Sequence, residues 1–338
     1  MAKYIDINTF LVLSKNSTVI DVRSEDEYAS GRIPTAVNIP ILSNQERIAV
    51  GTLFKQHGKQ KAVLKGLELS GPFLADRLKT AVKQIGESDP LVHCWRGGMR
   101  SSFFSYLLEF YGYKPKVLNG GYKAYRQFLL NYFETTFQFK VLGGKTGLNK
   151  TKVLHLMKEM GHQVIDLEGL ANHKGSAFGG IGLGKQPTQE QFENNLFYEL
   201  YQLDSKRPIW IENENRTIGD KVIPASIWNQ MMESDLVILD DTYPNRLKTI
   251  VADYGKLNIE DLKQAFEKIN RRIGPQYYKS AIQDLETGNI EGAFHYALNY
   301  YDKSYEFNLK KKGRLPKYTI DAQNKSLIQI VESLTSLL

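Results

Sequence analysis

One feature constrains this chain more than any other: short apolar runs of strand length recur along it, each followed by an amphipathic segment of helix length. That is the pattern of parallel α/β architecture, in which strands buried on both faces lose their polar alternation. STVIDVR (17–23), PLVHC (90–94) and PKVLNGG (115–121) read as buried strands of a first half. Between them GPFLADRLKTAVKQIG (71–86) reads as a helix, with Pro72 near its first turn and Gly86 just past its end. A polar-aromatic stretch, NYFETTFQ (131–138), separates this half from a second start. FKVLGG (139–144), HQVIDLE (162–168), RPIWIENE (207–214) and DLVILDD (235–241) are the strand candidates there. From about Asn258 the pattern is mainly helical and rich in Tyr and Lys. A length of 338 residues fits two domains, placed at 1–133 and 134–338.

Composition matters chiefly for what it excludes. A single cysteine rules out an internal disulfide framework and a cysteine-based zinc site. The six His residues show no HExxH or paired spacing, and neither haem nor flavin is expected. No run reaches the roughly 18 apolar residues of a membrane span. The beginning MAKYIDINTF lacks the parts of a secretory signal. A cytoplasmic enzyme with no membrane partner is the expectation.

The loop HCWRGGMRS (93–101) joins a buried strand to the apolar helix SSFFSYLLEF. A helix N-terminus presents free N–H groups and partial positive charge, which favour a thiolate at Cys94. Gly97 and Gly98 let the backbone curl so that the amides of Gly97, Gly98 and Met99 converge on one anion. Arg96 and Arg100 add fixed charge in a planar fork suited to oxyanions. These residues make Cys94 the candidate nucleophile.

A second Gly-rich turn, GGKTGLNKT (143–151), nearly matches G-x-x-x-x-G-K-[ST]. Gly144, Lys145, Thr146, Gly147 and Asn149 form the cradle, Lys150 reaches the outer phosphate, and Thr151 faces a metal or a phosphate oxygen. Asn149 takes the place of the second glycine, and Asn is the non-glycine residue that best tolerates positive φ. Asp166, Glu168, Glu212 and Glu214 are candidate acid or metal partners, with Asp240 and Asp241 an alternative pair. Mg2+ is the candidate metal. HKGSAFGGIGLGKQP (173–187), with five glycines, suits a mobile lid or a loop facing phosphate or substrate.

Net charge is +7, and its distribution is uneven. Residues 1–135 hold 18 Lys/Arg against 12 Asp/Glu, and the remainder holds 26 against 25. Lys310, Lys311, Lys312 and Arg314 lie in a basic run near the end, and Arg126 lies in the basic first half. Such patches fit RNA phosphates or a merely solvated surface, and charge alone leaves both open.

Several blocks carry a resemblance. DVRSEDEYASGRIPTAVNIP (21–40) and the Cys94 loop resemble the two signatures of rhodanese sulfurtransferases. Most rhodanese loops have four residues between Cys and Arg, whereas here five intervene, which also resembles the loop of cell-cycle dual-specificity phosphatases. HCWRGGMRS, NGGYKAYR (119–126), LGGKTG (142–147), DLEGLANHKGSAFGG (166–180), PTQEQFEN (187–194) and IENENRTIG (211–219) together resemble the tRNA 2-selenouridine synthases. Asn149 stands where that family usually has glycine, and beyond about residue 250 the likeness thins.

The resemblance implies a rhodanese-like parallel-sheet domain followed by a P-loop NTPase-like α/β domain with a helical C-terminal region. It implies a transferase acting on tRNA wobble 2-thiouridine. The sulfur is alkylated by geranyl diphosphate, and selenium from selenophosphate, carried on Cys94, then replaces the geranyl thiol. A selenophosphate-supplying enzyme is a candidate partner. The residues by themselves also admit a cysteine-dependent phosphatase, a sulfurtransferase with a regulatory nucleotide-binding domain, a rhodanese-like adaptor, or a small-molecule kinase.

Overall fold

The computed structural model describes residues 2–86, 88–311 and 313–337. Lys312 lies outside them, so the part of the basic run that falls on it has no structural account. The chain divides into two compact units, Met1–Tyr132 and Phe133–Leu338, each built on its own parallel sheet.

In the first unit the strands are β1 (Lys3–Ile5), β2 (Val19–Asp21), β3 (Ala36–Asn38), β4 (Leu91–His93) and β5 (Lys116–Leu118). They lie in the order β1-β5-β4-β2-β3, all parallel. β2 and β4 are buried at every position, which is why they are legible as apolar runs. Their burial feeds a core containing Ile20, Val22, Val92, Phe104, Leu108 and Val117. The expected helix at 71–86 is a 3-10 turn over Gly71–Phe73 followed by the helix Leu74–Gln84. Pro72 in the turn lacks the N–H that would go unused there.

The second unit holds β6 (Phe139–Gly143), β7 (Gln163–Ile165), β8 (Ile209–Glu212), the hairpin of β9 (Thr217–Ile218) and β10 (Lys221–Val222), β11 (Asp235–Asp240) and β12 (Tyr318–Asp321). Its main sheet runs β12-β11-β6-β8-β7, again all parallel. The helix Lys150–Glu159 covers one face with Val153, Leu154 and Met157, packed with Trp210, Val331 and Leu334. The helices Ile259–Ile273, Pro275–Glu286 and Ile290–Lys311 form a separate core around Phe266, Leu285, Phe294 and Leu298.

β4 and β6 each lie third of five in their sheets, with a neighbour on both sides. Loops at the carboxyl ends of such strands are where open parallel sheets bind ligands. The Cys94 loop follows β4, and the Gly144–Thr151 loop follows β6.

Candidate active sites

In the first unit Cys94 is buried directly after β4. The Gly98 N–H reaches its Sγ at 3.3 Å, and the Ser101 Oγ lies 3.3 Å from the same sulfur. The helix Met99–Phe110 starts at this point. Sulfur therefore sits at a helix N-terminus with one amide already directed at it.

The shape of this loop depends on the NGG turn at 119–121. Gly97 has φ +63, and a Cβ there would strike the Leu118 carbonyl. Gly121 has φ +58, and a Cβ there would strike the Cys94 carbonyl and the Gly97 nitrogen. The Tyr122 and Lys123 N–H groups donate to the Cys94 and Trp95 carbonyls at 2.8 and 2.9 Å. Two of the loop's carbonyls are thus tied to a second helix start, while the Gly98 N–H is directed at the sulfur.

Below the loop is a buried polar cluster from the DVR stretch. Asp21 takes a two-pronged ion pair from Arg23, both fully buried. The Arg23 guanidinium lies 3.8 Å from the Tyr122 ring centroid. His93, fully buried beside Asp21, is kept neutral by burial, which lowers its pKa. Arg100 is differently placed from the expectation that its fork faces the anion. It grips Glu27 bidentately at 2.6 and 3.1 Å. Burial raises the Glu27 carboxyl, but Arg100, together with the Ser24 N–H and Arg47, brings that group down to about 2. Arg96 is exposed on the loop and is the freer cation.

In the second unit the loop after β6 has the conformation its residues were chosen for. Gly144 has φ +136 and Gly147 φ +90, and a Cβ at Gly147 would meet the Arg246 backbone. Asn149 adopts φ 53, ψ 29, the left-handed conformation that its identity led us to expect. The helix beginning at Lys150 follows it. The Lys150 ammonium donates to the Gly144 and Lys145 carbonyls at 3.0 and 3.1 Å, closing the loop on itself.

Carboxylates crowd this lysine. Thr151 donates to Glu168 at 3.1 Å, and Glu212 accepts the Leu167 N–H at 2.8 Å while its other oxygen has no partner. Burial, then the neighbouring Glu168, pushes Glu214 up to about 8. Burial lowers the Lys150 pKa, with Glu168, Glu214 and Glu212 acting the other way. Among the described residues no group of three or more His, Cys, Asp or Glu side chains is arranged to hold a metal ion.

The loop forms part of a cavity of about 900 Å³. Glu168, Glu212 and Glu214 line it, as do His173 to Ala177 of the Gly-rich segment. Ile250, Tyr254, Ile269, Tyr300 and Tyr301 give it an apolar side, and Lys268 and Arg272 add charge. Phe178 anchors the Gly-rich segment among Tyr254, Phe266 and Phe294, with ring centroids 5.0–5.9 Å apart. That segment is a cavity wall pinned by a buried ring.

A model of the tRNA 2-selenouridine synthase AAA domain matches residues 137–335, and a rhodanese-like domain model matches 11–128. The chain is 33% identical to the tRNA 2-selenouridine synthase of Marinobacter nauticus, over 92% of this chain and 94% of that one. It is 34% identical to the enzyme of the same name from Sulfurovum sp., over 89% and 91%. The chain belongs to the tRNA 2-selenouridine synthase family. It is an enzyme of tRNA 2-selenouridine synthesis, with a rhodanese domain and a P-loop domain.

For this selenouridine synthase family member, the remaining candidate residues separate clearly. Glu168, Glu212 and Glu214 gather at the P-loop. Asp166 does not line the cavity: it caps the short helix Leu167–Ala171 and pairs with His155 at 2.6 Å. Asp240 is exposed, and Asp241 accepts from Thr242 N–H and Asn245. Lys145 turns to Glu306 at 2.8 Å.

The assignment of Arg314 to an RNA surface is corrected. Its guanidinium is buried and donates to the Met231 and Ser234 carbonyls and to Asn213. Lys310 and Lys311 are exposed at the end of their helix, and Arg126 is half-buried. Two residues at the P-loop were missed. Arg246 donates to the Thr146 carbonyl while paired with Asp302, and the Tyr305 hydroxyl accepts the Gly144 N–H at 2.8 Å. Both come from distant helices and carry no local motif. Among the described residues no helix is long and apolar enough to cross a membrane.

Proposed function

We propose that this chain converts tRNA wobble 2-thiouridine to 2-selenouridine in two steps, S-geranylation at the P-loop cavity and selenium transfer through Cys94. The observation that carries the reading is the pairing, in one cavity, of an anion cradle with an apolar aromatic wall. Gly144 to Thr151 suit a diphosphate, and Ile250, Tyr254, Ile269, Tyr300 and Tyr301 suit its hydrocarbon tail. In the first step the C1–O bond of geranyl diphosphate breaks as the uridine sulfur bonds to C1. Diphosphate leaves with the electron pair, and the base gives up its N3 proton. Lys150 and the cradle amides stabilise the charge that develops on the leaving oxygen. Thr151 and Glu168 offer hard oxygen donors suited to a Mg2+ that would share the diphosphate charge.

In the second step the Cys94 thiolate attacks the phosphorus of selenophosphate, the P–Se bond breaks as the phosphoryl group passes to Sγ, and the hydroselenide released bonds to C2 of the base. The C2–S bond breaks and geranyl thiolate departs. Gly97, Gly98 and Met99 suit the tetrahedral phosphate of the donor, and exposed Arg96 adds charge to it. Water then cleaves the Sγ–P bond, releasing phosphate and restoring Cys94, the only thiol of the chain. A cytoplasmic setting and an enzyme supplying selenophosphate accord with this chemistry.

The test separates the steps. Cys94→Ser is expected to geranylate 2-thiouridine and stop, so that S-geranyl-2-thiouridine accumulates. Lys150→Ala is expected to fail at geranylation yet convert pre-geranylated tRNA to the selenium product. Nucleoside mass spectrometry reads both. Loss of geranylation in a folded Cys94→Ser protein would refute the two-site assignment.

A further inference from the structure

The segment Asn44–Ser70 of the first unit is helical throughout except at Gly58, which has φ 81 and ψ 178. In a straight helix Val50 and Gly66 would stand about 24 Å apart. Instead a Cβ on Gly66 would lie 3.9 Å from the Val50 side chain. The chain therefore doubles back at Gly58 into a helical hairpin. Only Ala62 and Ser70 of its 27 residues are buried. A helix so little packed gains little from tertiary burial, which normally supplies most helical stability. It is an arm that projects its sides to solvent.

The charge of this arm is one-signed. From Arg47 to Leu67 there are five Lys/Arg and no Asp or Glu. Arg47 lies 3.5 Å from Glu27, and Lys65 is paired with Glu68. Lys55, Lys59 and Lys61, together with His57, flank Gly58 at the tip, and all are exposed. Among the described residues no carboxylate pairs with these three lysines. Solvated surfaces of globular proteins usually intersperse both signs, so three bare cations at the end of an arm call for a polyanion.

We propose that this basic-tipped hairpin is an RNA-docking arm that grips the phosphate backbone of the substrate tRNA; the inference rests on tRNA being the substrate. Flexible ammonium groups carry no base-edge code, so the contact positions the RNA without selecting sequence. An anionic membrane surface is the other polyanion to weigh. It needs apolar side chains to bury beside the basic ones, and the tip from Lys55 to Lys61, KQHGKQK, has none.

The experiment measures binding of fluorescently labelled tRNA by anisotropy, at several KCl concentrations, for the full chain. The comparison is wild type, the triple variant K55Q/K59Q/K61Q and the charge-keeping K55R/K59R/K61R. The glutamine triple should weaken binding about tenfold or more at 0.1 M salt. It should lower the slope of log affinity against log salt by roughly 2–3, since each lost phosphate contact removes 0.7–0.9. The arginine triple should restore both. Because the three side chains are exposed, circular dichroism should show all proteins equally folded. Equal affinity and slope for wild type and the glutamine triple would overturn the arm and leave the tRNA reading standing. Failure of wild type to bind tRNA even at low salt would instead bring down the tRNA reading, and the arm with it. If the glutamine triple lost binding to phosphatidylserine vesicles while keeping tRNA affinity, the partner would be a membrane and the proposal wrong.

Discussion

Replacing Asn149 tests the phosphate cradle most directly, because its backbone sits at φ 53, ψ 29. A left-handed conformation costs a non-glycine residue about 1–2 kcal/mol, with Asn at the lower end. The Asn149 Oδ1 is also buried without a hydrogen-bond partner, a liability of roughly 1–3 kcal/mol. Asn149→Gly removes both terms and adds about 0.5–1 kcal/mol of unfolded-chain entropy. The balance favours the glycine by at least about 1 kcal/mol, which for a unit of this size raises Tm by at least about 2 °C. Asn149→Val keeps the strain and worsens it, since a β-branched residue resists this region. A loss of about 2 kcal/mol is expected, with diphosphate affinity down more than tenfold as the cradle amides turn away. Differential scanning calorimetry and titration with geranyl diphosphate read both quantities. Three proteins with equal diphosphate affinity, or a glycine variant that melts lower than wild type, would refute the reasoning.

Three further outcomes follow from the same unit. Glu214, pushed up to about 8 by burial and then by Glu168, binds its proton more tightly folded than unfolded. The stability this lends is whole below about pH 4.5 and is lost as pH rises through 8. Wild type without ligand should therefore melt lower at pH 9 than at pH 6, and Glu214→Gln should flatten that difference; a variant as pH-sensitive as wild type would contradict it. Arg314→Gln should destabilise by about 1–3 kcal/mol, because the Met231 and Ser234 carbonyls lose their donor. Lys310→Gln with Lys311→Gln should leave Tm unchanged and reduce the salt dependence of tRNA binding; a drop in Tm from the lysine pair, with none from Arg314→Gln, would reverse the two roles.

The sequence by itself determined the two parallel sheets, the cysteine loop and the phosphate loop, for a local reason. β2, β4, β6 and β8 are mostly buried and β11 is buried at half its positions, and their apolar runs show it. Gly97, Gly144 and Asn149 are each chosen for a backbone angle, and an angle belongs to one residue. Three of the four main-sheet edges, β1, β3 and β12, went unread. Only one of their residues, Ala36, is buried, so no apolar run marks them.

Tertiary structure decided which charges act. Arg314 lies in a basic run, yet burial turns it into a donor for backbone carbonyls while exposed Lys310 keeps its charge for solvent. Arg100 sits in the cysteine loop but answers to Glu27, 73 residues away. Glu212 and Glu214 reach the cradle and Asp240 does not, though both pairs end apolar strands, and Tyr305 arrives from 161 residues beyond Gly144. A side chain's charge is written in the sequence. Whether water or a partner surrounds it depends on which distant elements pack beside it, and no local pattern encodes that.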